Sequence, residues 1–184
     1  ISVNVGGGGG CMTDPTLEPA DHNFEFAWSD AIWVGGQAWN QAEFSTRLEN
    51  LTIRNVTAEN TAHLFGTAWY FPAVYRSRLK NLIIEDSVAI NNLAGAFQLF
   101  NVDGGHIKRV KSLGGGGQDT WSGTTLGFIQ SSQNFLIEDN EFSFIDRAQS
   151  ADGTGMDFEG DTHNVTFRNN VIHNNAGSAL LILS

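Results

Sequence analysis

GTGMDFEGDTHNVTFRNN, residues 153–170, holds two short extended runs in eighteen residues. Met156-Asp157-Phe158 sets one middle residue between two large apolar ones. From His163 to Arg168, apolar Val165 and Phe167 alternate with polar Asn164, Thr166 and Arg168. Alternation at period two, carried by β-branched and aromatic residues, marks strands and does not fit a helix. Asn169-Asn170 closes the second run, and Asn accepts the left-handed backbone that a sharp bend demands.

Reading outward from this stretch, the second run recurs along the chain. The copies are QNFLIEDN from Gln133, KNLIIEDS from Lys80 and ENLTIRNV from Glu49, with GGHIKRVK from Gly104 as a looser one. Taking Ile53, Ile84, Ile107, Ile137 and Phe167 as equivalent gives steps of 31, 23, 30 and 30 residues. A self-similar period of that size built on a strand means a solenoid of stacked coils. The next position reads Arg54, Glu85, Lys108, Glu138, Arg168, which predicts a ladder of alternating charge on the solvent side, structural in role.

The first run recurs as well. Trp69-Tyr70-Phe71, Phe97-Gln98-Leu99, Leu126-Gly127-Phe128 and Leu180-Leu181-Ile182 share its form, with middle residues 70, 98, 127, 157 and 181 at steps of 28, 29, 30 and 24. Neighbouring side chains on a strand face opposite ways, so the flanking residues are expected inside and the middle ones outside. Each coil then reads strand, bend, strand, bend.

The chain thus resembles the right-handed parallel β-helix proteins, which include many secreted pectin- and other polysaccharide-degrading enzymes. Residues 153–183 carry most of the resemblance, and it extends less clearly back to about Glu49. It implies an all-β, right-handed parallel β-helix of five to six coils and a polysaccharide partner. The Asn-Thr-Asp, Asp-Asp, Gly-His-Gly and Arg-Ile-Lys set of polygalacturonases is missing, as is the Trp-Ile-Asp-His motif of pectate lyases. Those two families are disfavoured.

Composition fits a secreted or cell-surface solenoid. The 184 residues suffice for a single domain, read here as an irregular start over 1–48 with one possible coil, followed by regular coils over 49–184. Phe26, in a copy of the repeat, and Ile32-Trp33-Val34 would supply the two strands of that early coil. Charged residues make up only 16%, the net charge is −10 and Cys11 is alone, so stability rests on the stacked core and not on an internal disulfide. Acidity argues against nucleic acid, and no apolar run is long enough to span a bilayer. Alternating strand at both termini suggests a piece of a longer protein, or ends covered by flanking domains or end-to-end partners.

Chemistry is expected on the outward column of Tyr70, Gln98, Gly127, Asp157 and Leu181. Two residues further on, the outward set reads Pro72, Phe100, Ile129, Glu159 and Leu183. Asp157 and Glu159 then share a face, with Gly127 opening a shallow cleft beside Asp157. Paired carboxylates suit glycoside hydrolysis, in which one protonates the leaving oxygen and the other attacks the sugar or activates water. The same pair, with Asp119, Asp152 or Asp161, could instead hold Ca2+, or be merely solvated. Tyr70, Gln98, Asp119, Trp121, Arg147 and Asp152 are the candidate substrate contacts: Trp121 to stack on a sugar or plug its loop, Arg147 to neutralise a uronate or pair with a neighbouring Asp. His63, His106, His163 and His173 lack metal-ligand spacing on one strand, which disfavours zinc. Asn50, Asn55 and Asn164 open N-x-Thr sequons, although the repeat generates that pattern for its turns. A polysaccharide lyase is the near alternative, short of a base other than Arg147. A structural or adhesive solenoid without catalysis is the distant one.

Overall fold

A computed structural model describes residues 2–4, 31–34, 48–67, 79–92, 95–115, 125–146 and 153–183. Among them the chain forms strands, turns and bends, without a helix. The early strands are β1 (Ser2–Asn4), β2 (Ile32–Val34) and β3 (Leu48–Glu49). Next come β4 (Thr52–Arg54), β5 (Thr57–Glu59) and β6 (Phe65–Thr67), then β7 (Leu79–Asn92) and β8 (Phe97–Phe100). β9 (Val102–Gly115), β10 (Gly127–Gln130), β11 (Gln133–Glu138) and β12 (Glu141–Ile145) follow. The last four are β13 (Met156–Glu159), β14 (His163–Arg168), β15 (Val171–His173) and β16 (Leu180–Ile182).

All the strand pairings are parallel, and they sort into a ten-stranded and a six-stranded sheet. The column read from the sequence holds position by position. Ile53 pairs with Ile84, Ile84 with Ile107, Ile107 with Ile137, and Ile137 with Phe167. The isoleucines of this column are buried in one contiguous apolar core, with Phe167 packed against it. The charge ladder stands in the same register. Glu85 receives Arg54, Lys108 at 3.0 Å and Arg109 at 3.3 Å, while Glu138 receives Arg168 at 2.6 Å and His106 at 2.8 Å.

The ten-stranded sheet contains a bend that the two-strand reading lacks. A left-handed residue interrupts it on each rung: Asn55, Asp86, Arg109, Asp139 and Asn169, with φ from 51° to 57°. Beyond it a third run forms its own inward column of Ala58, Ala89, Ser112, Phe142 and Ile172. Asn60, Asn91, Gly114, Phe144 and Asn174 make a second left-handed column, and Asn50, Asn81, Gly104, Asn134 and Asn164 a third. Asn50, Asn55 and Asn164 are therefore turn formers in this fold, whatever the sequons offer.

Corner polar groups are stitched rung to rung. Asn140 Oδ1 accepts the Val110 N–H at 2.8 Å, and its Nδ2 donates to the Ile107 carbonyl at 3.0 Å. Asn170 repeats this one rung on, accepting from Asn140 N at 3.0 Å and donating to the Ile137 carbonyl at 2.9 Å. Asn175 does the same with Ile145 N and the Phe142 carbonyl at the next corner. Buried backbone groups at bends have no ladder partner, so an amide that both donates and accepts replaces one.

The early coil is visible in part: β2 pairs with β6, and β1 with β5. Phe26 lies outside the described residues. Of the four consecutive glycines at 114–117, Gly114 and Gly115 end a strand, and the other two are also outside the described residues.

Candidate functional site

The six-stranded sheet runs β16-β13-β10-β8-β6-β2, and its outer face carries the predicted carboxylates. Gln98, Asp157 and Leu181 share one column, as expected. Two of its other members differ. Phe128, not Gly127, pairs with Gln98 on one side and Asp157 on the other, and Gly66, not Tyr70, is the partner of Gln98 on β6. The vertical neighbours are thus residues 98, 128 and 157.

The reason for the shift is steric. Gly127 faces the interior, where a Cβ would lie 2.8 Å from both Met156 Sδ and Phe97 Cζ. The large side chains on the rungs before and after fill that layer, leaving room only for hydrogen. Ile129 takes the inward place expected for Phe128 and is buried in the core. The open notch expected beside Asp157 is replaced by the Phe128 ring. The next outward column reads Phe100, Gln130 and Glu159, so Gln130 stands where Ile129 was expected.

Asp157 lies on this face yet is only 2% exposed, between Phe128 and Leu181 in register. Glu159, two residues along the same strand and half-buried, is paired with Gln130. Thr162 Oγ1 donates to the Glu159 carbonyl at 2.6 Å and pins the corner that follows. Phe100 is 5% exposed but stands apart from the contiguous core, and its ring meets Phe128 at 5.4 Å and 47°. Its backbone is clamped by Thr67, whose Oγ1 accepts the Phe100 N–H at 2.7 Å. The face therefore joins two carboxylates, two amides and a braced aromatic pair.

Of the sequence-derived site residues, the fold brings together Asp157, Glu159 and Gln98. Tyr70, Asp119, Trp121, Arg147 and Asp152 lie outside the described residues. Phe128 and Gln130 were missed, because the one-residue misreading at Gly127 turned both to the wrong side. Among the described residues no three His, Cys, Asp or Glu side chains gather as a metal site, and no helix is long and apolar enough to cross a membrane.

Electrostatics differ sharply on the other sheet. Glu85 is 3% exposed among three cations, and Lys108 first, then Arg54, holds its carboxyl below the usual carboxylate value against the opposing effect of burial. Arg109 lowers Asp86 in the same way, and Arg168 and then His106 lower Glu138. These groups staple rungs together and face away from the Asp157 column.

A family model described as right handed beta helix region matches residues 20–184. No curated protein and no solved structure matches the chain.

Proposed function

The chain belongs to the right-handed β-helix family, and from that premise we propose that it is a secreted protein that hydrolyses a polysaccharide on the outer face of its six-stranded sheet. One observation carries the reading: Asp157 and Glu159 project from the same side of one strand, beside a braced aromatic pair and two amides. A strand has little intrinsic preference for acids, and here two stand on one side of the same strand. With side chains two positions apart, one carboxyl protonates the glycosidic oxygen while the other attacks C1 or activates water. Glu159 is the more open of the two carboxylates, and the low polarity around Asp157, which is 2% exposed, strengthens the interactions it makes. The lyase alternative is weaker, since the described residues of this face offer no basic group to remove a proton from C5.

A structural or adhesive solenoid is the second reading. It draws on the rung-to-rung stitching, in which Arg54 and Lys108 staple Glu85, Arg168 staples Glu138, and Asn140 and Asn170 tie the corners, all of which serve stacking alone.

Reducing-sugar release from a panel of polysaccharides decides between the two. Asp157→Asn and Glu159→Gln are each expected to lower turnover by a factor of at least ~100 with the fold intact, the usual scale for loss of acid or base assistance. Unchanged hydrolysis in both variants removes the catalytic assignment. A parent that cleaves nothing yet polymerises favours the solenoid reading.

A further inference from the structure

Building on the binding face assigned above, we infer that the ligand is an uncharged polysaccharide and that Phe128 is a sugar-stacking residue. Gln98 and Gln130 supply hydrogen bonds to its hydroxyls. The starting point is the distribution of charge. Every described Lys and Arg, namely Arg54, Lys80, Lys108, Arg109, Lys111 and Arg168, lies on a strand of the ten-stranded sheet. On the six-stranded sheet the only described charges are Asp157 and Glu159. The sequence as a whole carries −10. A uronate or sulfated chain laid on this face would meet two carboxylates and no described cation, within a repulsive overall field.

A neutral chain meets matching chemistry instead. Each glutamine amide both donates and accepts, as sugar hydroxyls do, so neither partner needs a charge. Gln98 stands one rung from Phe128, and Gln130 stands two residues along the same strand. Phe128 is part-exposed on the outer face and sits directly beside Asp157 in register. Its ring is braced from the side by Phe100, which is buried outside the main core. An aromatic ring held this way offers a flat apolar surface at little further ordering cost, which suits the C–H face of a pyranose. The ring also places the stacked sugar one strand spacing, about 4.8 Å, from the carboxylate strand.

Affinity electrophoresis of the full chain tests this, because retardation by an embedded polymer is read without turnover. The gels contain mixed-linkage β-glucan, galactomannan, starch or arabinan on one side, and polygalacturonate or alginate on the other. Retardation is expected in at least one neutral gel and in neither anionic one. Phe128→Ala should raise the apparent Kd about tenfold, while Phe128→Tyr, which keeps the ring, should stay near the parent. Circular dichroism establishes that both variants are folded. Retardation by a polyanion, no retardation by any neutral polymer, or an unchanged Kd in Phe128→Ala each overturns the inference. Neutral binding through Phe128 without cleavage would refute the hydrolase reading alone. Cleavage of a neutral polymer with an unaltered KM in Phe128→Ala would refute the stacking role alone.

Discussion

Replacing Asn140 by Ala isolates one stitch in the corner ladder. Asn140 is 2% exposed and makes three side-chain hydrogen bonds: from Val110 N–H at 2.8 Å, to the Ile107 carbonyl at 3.0 Å and to Asn170 Oδ1 at 2.9 Å. Val110 and Ile107 are fully buried, so solvent does not reach the groups left behind. A buried donor without a partner costs about 1–3 kcal/mol, and the Val110 N–H bears that in full. The Ile107 carbonyl has a second lone pair and loses less. Asn170 Oδ1 keeps the Asn140 backbone N–H at 3.0 Å and loses little. The sum is a destabilisation of about 3 kcal/mol. Exposed Asn134, which donates to Asp103 Oδ1 at 2.6 Å on the outer ladder and holds φ 62°, is the control, with an expected loss of about 1 kcal/mol in Asn134→Ala that comes mainly from the left-handed backbone. Urea unfolding gives both values, and amide exchange at Val110 reports the local opening even if rungs melt in stages. An Asn140→Ala variant within about 1 kcal/mol of the parent, with Val110 exchange unchanged, refutes the idea that side-chain amides satisfy the bends.

Two further outcomes follow from the same geometry. Phe144 has φ 65° in a column otherwise made of Asn and Gly, and is 55% exposed with an edge contact to His173. Phe144→Asn should therefore stabilise the protein by about 1 kcal/mol, the strain of a left-handed bulky residue, and a lowered melting temperature would contradict this. The carboxyls of Glu85, Asp86 and Glu138 are held below their ordinary values of 4.5, 3.8 and 4.5 by Lys108, Arg109 and Arg168 respectively. A depressed carboxyl favours the folded state while ionised, so this stabilisation is whole above those values and fades as pH falls below them through the lower folded ones. The urea midpoint should drop as pH falls below 4.5, and Glu85→Gln with Glu138→Gln should flatten the drop; a parent with no slope there contradicts it.

The Ile53-to-Phe167 run of the ten-stranded sheet was legible in the chain because it repeats two signals at once, whereas the third run beyond the bend carries only small and mixed residues at its inward positions. An apolar column and an alternating charge beside it cannot both survive a slip of one residue, since a slip turns every side chain over. The run around Gly127 had no such second signal. Leu126-Gly127-Phe128 and Gly127-Phe128-Ile129 both place a small or middle residue within the expected period. The offset to the next column held the answer: Gln98 lies nine residues before Ile107, and Phe128 lies nine before Ile137. Asp157 lies ten before Phe167 because its corner, Glu159 to His163, is one residue longer than Gln130 to Gln133. Trp69-Tyr70-Phe71 misled for a similar reason, since an aromatic run outweighed the plainer Phe65-Gly66-Thr67 that pairs with β8.

Period-two alternation and a recurring step along the chain determined that this protein stacks parallel strands, which isoleucines meet, and that Asp157 and Glu159 share a side. Those are properties of backbone geometry, and it is the same for every strand. Which side chain stands against Asp157 was decided only in the folded state, because Phe97 and Met156 claim the interior around Gly127 and turn Phe128 outward. Packing between residues some thirty positions apart made that choice, and no local pattern contains it.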